Sequence, residues 1–322
     1  ITVTYNSEKD MPEYFQGING IDYDKKKIRL IMVDNASQDD IKNIVKMTKT
    51  SITNYFMPQK ENKGFSKGNN IGIIKSNAEY ILFLNPDTII TSCAIKNLVR
   101  FLENNAGYGF AGGKLLRPEG KIDSAGILLT KNRKFKDRGQ GQEDKGQFDK
   151  EEDIFAICGA ALLCKREMLE DIKIGKEYFD EVFFAYYEDV DLCWRAQKKG
   201  WKGRYIPEAI IYHKRGHNVR PFSIKTLGSF LKERLRLKRE NSKKYRIIRA
   251  LSFRNSFLLL IKNEANILKN LPWIVVGNIL PRICYSILFE PYVLREIPNI
   301  IKMSKKVRGK IDDHNRYHNY NV

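Results

Sequence analysis

Residues 79–88 read EYILFLNPDT. The aliphatic and aromatic run Tyr80 to Leu84 has the composition of a short strand. Asn85, Pro86 and Asp87 end it, and Pro86 stiffens the turn. Asp87 therefore stands at the carboxyl end of a strand. There it can cap the helix that follows. It can equally ligate a divalent metal bridging two phosphates, because Mg2+ and Mn2+ prefer oxygen ligands.

Outward from this stretch the same design repeats. ITVTY (1–5), KIRLIMVD (27–34), SITNYFM (51–57) and YGFAGG (108–113) are further strand-like runs, with candidate helices near 8–17, 39–48, 66–76 and 91–105. This alternation predicts an α/β fold, a mostly parallel sheet covered by helices on both faces. In such sheets ligands bind beyond the carboxyl ends of the strands. The strand ends here are TYNS (4–7), DNASQDD (34–40), KENKGFSKGNN (60–70) and NPDT (85–88). Each alone is ordinary turn or cap chemistry; four at one edge favour a ligand site. Asp34 can accept hydrogen bonds from a base or ribose, and Asp39 or Asp40 is expected to cap the next helix. NKGFSKGNN is Gly-rich and basic without being GxxxxGK[ST]. It can bring Lys67 and backbone N–H groups near an anion.

The second half of this region holds FFAYYEDVDLCW (183–194). Glu188, Asp189 and Asp191 suit the first turn of a helix that Lys198 and Lys199 end and Gly200 stops. That accounts for one or two acids but not for the aromatics ahead of them. A carboxylate beside apolar rings is desolvated, its pKa rises, and it suits a general base. The strand EAIIYH (208–213) ends in His213, which as a neutral imidazole can ligate a metal. His213 and His217 form HxxxH, but no third zinc-type ligand is near. Residues 131–152 read as a mobile surface excursion, a lid, a binding loop or disorder. IFAICGAALLCKREML (154–169) reads as a buried strand running into a helix.

The 322 residues carry a formal net charge of +19. Residues 221–322 hold 21 Lys and Arg against 7 Asp and Glu, a net of +14, so a nearly neutral domain precedes a strongly basic one. Such a segment seeks a polyanion, an anionic membrane or nucleic acid. Residues 230–268 read as long basic amphipathic helix. LPWIVVGNILPRICYSILF (271–289) is apolar but interrupted by Pro272, Pro281 and Arg282. It is a poor membrane span and a better interfacial segment, with Trp273, Tyr285 and Tyr292 as headgroup-level anchors. The alternative is a soluble helical subdomain or an oligomer interface. The five cysteines form no CxxC pair and read as reduced thiols in a reducing compartment. Ile1, not Met, opens the chain within what already looks like a strand, which leaves the natural N-terminus open.

Taken in order, VTYNS, VDNASQDD, NKGFSKGNN, LFLNPDT, GAALLCKREML, FFAYYEDVDLCWRAQKKGW and IPEAIIYH resemble the family 2 glycosyltransferases of the GT-A fold. The resemblance covers roughly residues 1–217. It is strongest to the bacterial rhamnosyltransferases and galactofuranosyltransferases that build surface polysaccharide. It implies a GT-A catalytic domain over 1–220, with a nucleotide-binding half about 1–115 and an acceptor half about 116–220. A basic amphipathic helical region expected to associate with a membrane follows over 221–322. It also implies an inverting transfer from a dTDP- or UDP-linked sugar to a glycan or lipid-linked acceptor. In that reading Thr4 and Tyr5 line the nucleoside pocket, Asp34 contacts the base, and Asn35 and Lys67 lie on the donor side. Asp87, in the NPD version of the DxD motif, holds Mg2+ or Mn2+. Asn85 replaces the first carboxylate of that motif and ligates with less charge. Asp189 is the general base, and Glu188 and Asp191 orient the acceptor or support the base. His213 resembles the histidine that completes the metal site in the galactofuranosyl branch. The implied location is cytoplasmic, peripheral on the inner face of the cell membrane, with no nucleic-acid partner and with oligomerisation open. A non-catalytic basic scaffold for membrane or nucleic acid competes with this reading. Its weakness is the row of acids at the strand ends, which would repel phosphates unless a metal were present. A nucleotidyltransferase would need a phosphate-cradling glycine loop after the first strand, where TYNSEK stands.

Overall fold

The computed structural model describes residues 1–215, 242–264 and 267–318. It divides into two compact units, Ile1–Leu129 with Phe135–Arg215, and Thr130–Lys134 with Gly216–Val322. The expected boundary at 220, the residues 230–241 and His217 all lie outside the described residues.

In the first unit, β1 (Thr2–Thr4), β2 (Arg29–Asp34) and β3 (Thr53–Pro58) pair in parallel, with Thr4 opposite Asp34. β4 (Tyr80–Leu84) adjoins the start of β1. The Ile1 nitrogen donates to the Leu82 carbonyl at 2.7 Å, and the Leu84 N–H donates to the Ile1 carbonyl at 3.0 Å. Beyond β4, the antiparallel strand β11 (Ala161–Lys165) separates it from β6 (Tyr108–Leu116). β12 (Lys202–His213) runs parallel to β6. β5 (Thr88–Ile90) pairs with the end of β12 and sets His213 opposite Thr88. On β2, Leu30, Ile31, Met32 and Val33 are all buried, because both faces of the sheet are covered. Leu30 and Met32 join the core with α1 (Met11–Asn19), α2 (Ile41–Met47) and α4 (Ala94–Asn104). On α4 the buried residues Ala94, Leu98, Val99 and Leu102 recur with helical period along one stripe. The helices α3 (Gly64–Lys75), α5 (Arg166–Ile172) and α6 (Glu188–Lys198) complete the layers.

The stretch 131–152 is not a structureless excursion. β8 (Ile127–Leu129) and β9 (Phe135–Asp137) form a hairpin across it. Further along, β10 (Glu152–Asp153) pairs with β12. The buried Lys114 ammonium holds Asp144 at 2.9 Å and also Asp149, and the Tyr205 hydroxyl donates to the Phe148 carbonyl at 2.9 Å. The segment is poor in apolar residues, but its polar groups have partners on strands far away in sequence.

In the second unit, α7 (Lys243–Asn263), α8 (Ile267–Ile274), α9 (Leu280–Phe289) and α10 (Ile297–His318) follow one another. The described part of the expected amphipathic helix is not one-sided. Leu258, Leu259 and Leu260 are buried in succession, and Lys262 and Asn263 are buried after them. Nor do the prolines break the next helix. A π-helical turn at Val275–Ile279 joins α8 to α9, so the chain stays helical past Pro272 and Pro281. Of the expected aromatic anchors, Tyr285 is buried and stacks on Phe289 with ring centroids 5.0 Å apart. Tyr292 donates to Glu290 at 3.1 Å. Trp273 is exposed, at 51%, with the Lys131 ammonium 4.2 Å from its ring. The segment Thr130–Lys134 is pinned within this unit by an Arg133–Glu264 ion pair and by Asn278, whose amide donates to the Arg133 carbonyl at 2.9 Å.

Candidate active site

The carboxyl ends of β1 and β2 form the first wall. Asp34 is buried. Its Oδ1 accepts from the Thr4 hydroxyl at 3.0 Å and from the Ser37 hydroxyl, and its Oδ2 accepts from the Ser37 N–H at 3.2 Å. The carboxylate is thereby aimed and held before any ligand arrives. Asn35 is also buried: its N–H donates to the Thr4 carbonyl at 2.9 Å and its side-chain amide to the Gly64 carbonyl at 3.0 Å, while its Oδ1 has no partner. Thr4 is fully buried, whereas Tyr5 is 49% exposed and presents its ring to solvent. Asp39 and Asp40 do not cap α2. Asp39 accepts from the Glu8 N–H at 2.8 Å, and Asp40 accepts from the Asn43 amide at 2.6 Å. The loops after β1 and β2 are laced to each other instead.

The end of β4 forms the second wall. The Asn85 Oδ1 is buried without a hydrogen-bond partner. Asp87 Oδ1 lies 3.5 Å from His213 Nε2. His213 Nδ1 donates to Asp123 Oδ2 at 2.8 Å, from β7 (Ile122–Ser124). Asp123 is fully buried; its Oδ1 takes Arg215 at 3.2 Å and Arg117 Nε at 3.3 Å. Burial alone would raise the Asp123 pKa; His213 and the two arginines outweigh it and lower it. Burial alone would lower the His213 pKa; the bonds to Asp123 and Asp87 outweigh it and raise it to about 9. Arg215 also holds Asp137 at 3.1 Å.

The third wall is the start of α6, and its acids divide. Asp189 Oδ2 accepts from the Gly159 N–H at 2.7 Å and Oδ1 from the Val190 N–H at 2.8 Å. A side chain on Gly159 would crowd that carboxylate, since a Cβ there would sit 3.2 Å from Asp189 Cβ. Burial raises the Asp189 pKa, against the lowering effect of these two N–H groups. Glu188 is buried with Oε2 unpartnered, and burial followed by the Asp189 charge raises its pKa well above the ordinary value. Asp191 faces away from this group. It is fully buried and accepts from Arg195 Nε at 2.9 Å, and Arg195 continues to the Tyr178 carbonyl at 2.7 Å. Asp191 thus anchors the helix and does not reach an acceptor.

The aromatic wall divides as well. Phe183 is buried in the core, and Tyr187 joins Phe135, Phe155 and Trp194 in one cluster. Tyr186 is 40% exposed. Burial, then Glu188 and Asp87, raise its pKa to about 12. Phe184, Tyr186 and Tyr187 have φ of 61°, 72° and 72°, a left-handed conformation that bulky residues adopt only under constraint. At Phe184 the constraint comes from the first turn of α3. The Ser66 N–H donates to the Phe184 carbonyl at 3.1 Å, and a Cβ on Gly64 (φ 87°) would sit 2.5 Å from that carbonyl. The Ser66 amide, and the Gly64 amide bonded to Asn62 Oδ1 at 2.9 Å, are therefore not left over for an anion. Lys67 is likewise engaged, on Glu181 Oε1 at 2.8 Å, which Asn70 shares at 3.0 Å.

One short segment joins the second and third walls. The Gly159 N–H holds Asp189, and the next carbonyl, Ala160, accepts from the Asn85 N–H at 2.9 Å. Asp189, Asn85, Asp87 and His213 thus meet at one edge with Asp34 and Thr4. The donor set fits a hard divalent cation: one carboxylate, one imidazole with its far nitrogen fixed, and a buried orphan carbonyl oxygen at Asn85. Among the described residues no three His, Cys, Asp or Glu side chains are preassembled around one point. Sequence reasoning missed Asp123, Asp137, Arg215 and Gly159. The available signal for Asp123 was an acid between Ile122 and Ser124 in a strand that packs inward.

The sequence matches the model of glycosyl transferase family 2 over residues 1–173. The low-salt glycan biosynthesis hexosyltransferase Agl10 of Haloferax volcanii is 26% identical over 203 residues, 62% of this chain and 61% of that protein. The chain therefore spans about three fifths of that relative's length. The Escherichia coli rhamnosyltransferase WbbL is 26% identical over 186 residues, 54% of this chain and 69% of that one. Among solved structures, S. aureus TarS 1-349 superimposes with a TM-score of 0.54 at 15% identity, covering 85% of this chain and 68% of that chain. The mannosyltransferase PcManGT from Pyrobaculum calidifontis, solved with GDP-Man and Mn2+, gives 0.53 at 14% identity over 97% and 85%. At such identities these structures speak for the fold, and that fold is GT-A. With the family's sequence over more than half its length and the family's fold beneath it, the chain belongs to glycosyl transferase family 2.

Proposed function

We propose that the chain is an inverting glycosyltransferase that moves a sugar from a nucleotide-diphosphate donor to a hydroxyl of a glycan or lipid-linked acceptor. The observation that carries the reading is the Gly159–Ala160 segment, which ties the Asp189 carboxylate to the NPD turn. A base and a diphosphate site must be close for in-line displacement. Asp34, braced by Thr4 and Ser37, would receive the base or ribose, with Tyr5 beside it. Asp87, His213 and Asn85 would hold Mg2+ or Mn2+, which when bound neutralises the departing diphosphate. The Mn2+ in the Pyrobaculum mannosyltransferase supports that cofactor class. To serve as a ligand, His213 must give up its proton at Nε2. Asp189, with its pKa raised, would take the proton from the acceptor hydroxyl as that oxygen attacks the anomeric carbon. Glu188 would keep its own proton and leave Asp189 the only anion of the pair. The exposed ring of Tyr186 would face the sugars.

A dTDP-linked rhamnosyl donor is favoured, with the name of the WbbL relative in support. Galactofuranosyl or other hexosyl transfer from a UDP-sugar is the second reading, favoured by His213 beside Asp87. The synthesis of bacterial surface polysaccharide is the proposed setting. The second unit would lie on the anionic inner face of the cell membrane. Lys269–Phe289 is long and apolar enough to cross a membrane, with 22% of its apolar window buried, and Trp273, Val276, Ile287 and Leu288 are exposed on it. Arg282 within the segment favours lying in the interface over crossing.

The test is donor hydrolysis and transfer by the purified chain across dTDP-, UDP- and GDP-sugars, with and without Mn2+. Turnover of one donor that needs the metal and disappears in Asp87→Ala is expected. Folded protein that turns over no donor would move the reading to a basic membrane scaffold.

A further inference from the structure

We propose that Asp123 is a positioning residue for the metal-binding half of the site, fixing the His213 ring so that Nε2 faces Asp87. The inference rests on the reading of Asp87 and His213 as metal ligands. It comes from a contact that the donor set alone does not require. His213 Nδ1 donates to Asp123 Oδ2 at 2.8 Å, and the opposite nitrogen lies 3.5 Å from Asp87 Oδ1. An imidazole can present either nitrogen by a ring flip. A carboxylate on Nδ1 selects one tautomer and makes Nε2 the better electron donor.

Asp123 itself has no freedom to turn. It is fully buried on β7, and its second oxygen is occupied by Arg117 Nε at 3.3 Å and Arg215 at 3.2 Å. Arg215 is steadied in turn by Asp137 at 3.1 Å. His213 is the last residue of β12, paired opposite Thr88, which places its ring beside Asp87 but does not set the rotation of that ring. Asp123 supplies the missing constraint from a different strand, and the two arginines balance a charge that would otherwise be stranded in the interior.

The test is Mn2+ binding to the full chain by electron paramagnetic resonance, with UDP and dTDP present together. Loss of the free-ion signal gives affinity, and pulsed spectra report nitrogen coupling from a ligated imidazole. Wild type is expected to show the coupling and His213→Ala to lose it. Asp123→Ala should lower Mn2+ affinity about 10–100-fold, the usual cost of removing such a partner, and weaken the coupling. Asp123→Asn keeps an acceptor oxygen in place and should restore the coupling with a several-fold weaker affinity. Asp171→Asn, whose carboxylate accepts from the Trp201 ring N–H and touches none of these groups, should change neither. If wild type shows coupling and folded Asp123→Ala keeps it at full affinity, the positioning role is wrong and the metal site stands. Should Asp123→Ala not fold, unchanged affinity in Asp123→Asn overturns the role. If wild type shows no coupling at all, the metal reading of His213 falls and this inference with it.

Discussion

Asp191 lies two residues past Asp189 on α6, yet its carboxylate is taken up by Arg195 in the interior while Asp189 is held by the Gly159 N–H. The two acids should therefore fail differently. Asp191→Ala leaves the Arg195 charge buried and unpaired and should cost about 3–5 kcal/mol in urea unfolding. Asp189→Asn should keep the melting curve and donor binding but abolish transfer. An Asp189→Asn enzyme with near-parent transfer would remove it as the base. Glu188 carries a pH signature. Burial and then Asp189 hold its carboxyl well above the ordinary 4.5. The folded chain thus keeps a proton that the unfolded chain releases above that pH. The resulting stability is complete below the unfolded pKa and is lost as pH rises through the folded one. Glu188→Gln is expected to melt higher than the parent at about pH 8 and level with it at about pH 4. An equal offset at both would contradict the assignment. At this scale the residue types were legible in the sequence, but which acid turns inward was not. That depends on Arg195 and Gly159, four and thirty residues from the acids they bind.

The turn ahead of α6 shows what an element adds. Helix start, dipole and stop were all readable: α6 spans Glu188–Lys198, with its acids in the first turn and Gly200 at φ 90° beyond its end. The left-handed Phe184, Tyr186 and Tyr187 were not, because nothing local favours them; at Phe184 the carbonyl is held by the first turn of α3, far away in sequence. Gly64→Ala combines a φ of 87° with a 2.5 Å approach to the Phe184 carbonyl. It should destabilise by more than about 1 kcal/mol and cut transfer more than donor binding. An unchanged melting temperature would show that the turn stands without this clamp. The helix through Pro272 and Pro281 is the same lesson reversed: a π turn absorbs what the sequence presented as a break.

Over the whole molecule, +14 of the +19 formal charge lies after residue 220. If that segment meets an anionic bilayer, the full chain should float with phosphatidylglycerol-rich vesicles and be released between about 0.1 and 0.5 M salt. Trp273→Ala should weaken this binding roughly tenfold, since burying a large apolar side chain contributes about 1.5–3 kcal/mol. Binding to neutral vesicles just as tight, or unmoved by Trp273→Ala, would exclude the interfacial role. The strand–helix order, the polar strand ends and the charge asymmetry were determined by the sequence alone, because each is a property of neighbours along the chain. The antiparallel β11, the order within 131–152, the capture of Lys67 by Glu181 and the Asp123–His213 pair were decided only by tertiary structure. Each is a contact between groups far apart in the chain, and a buried charge takes whichever partner the packing brings within hydrogen-bond reach.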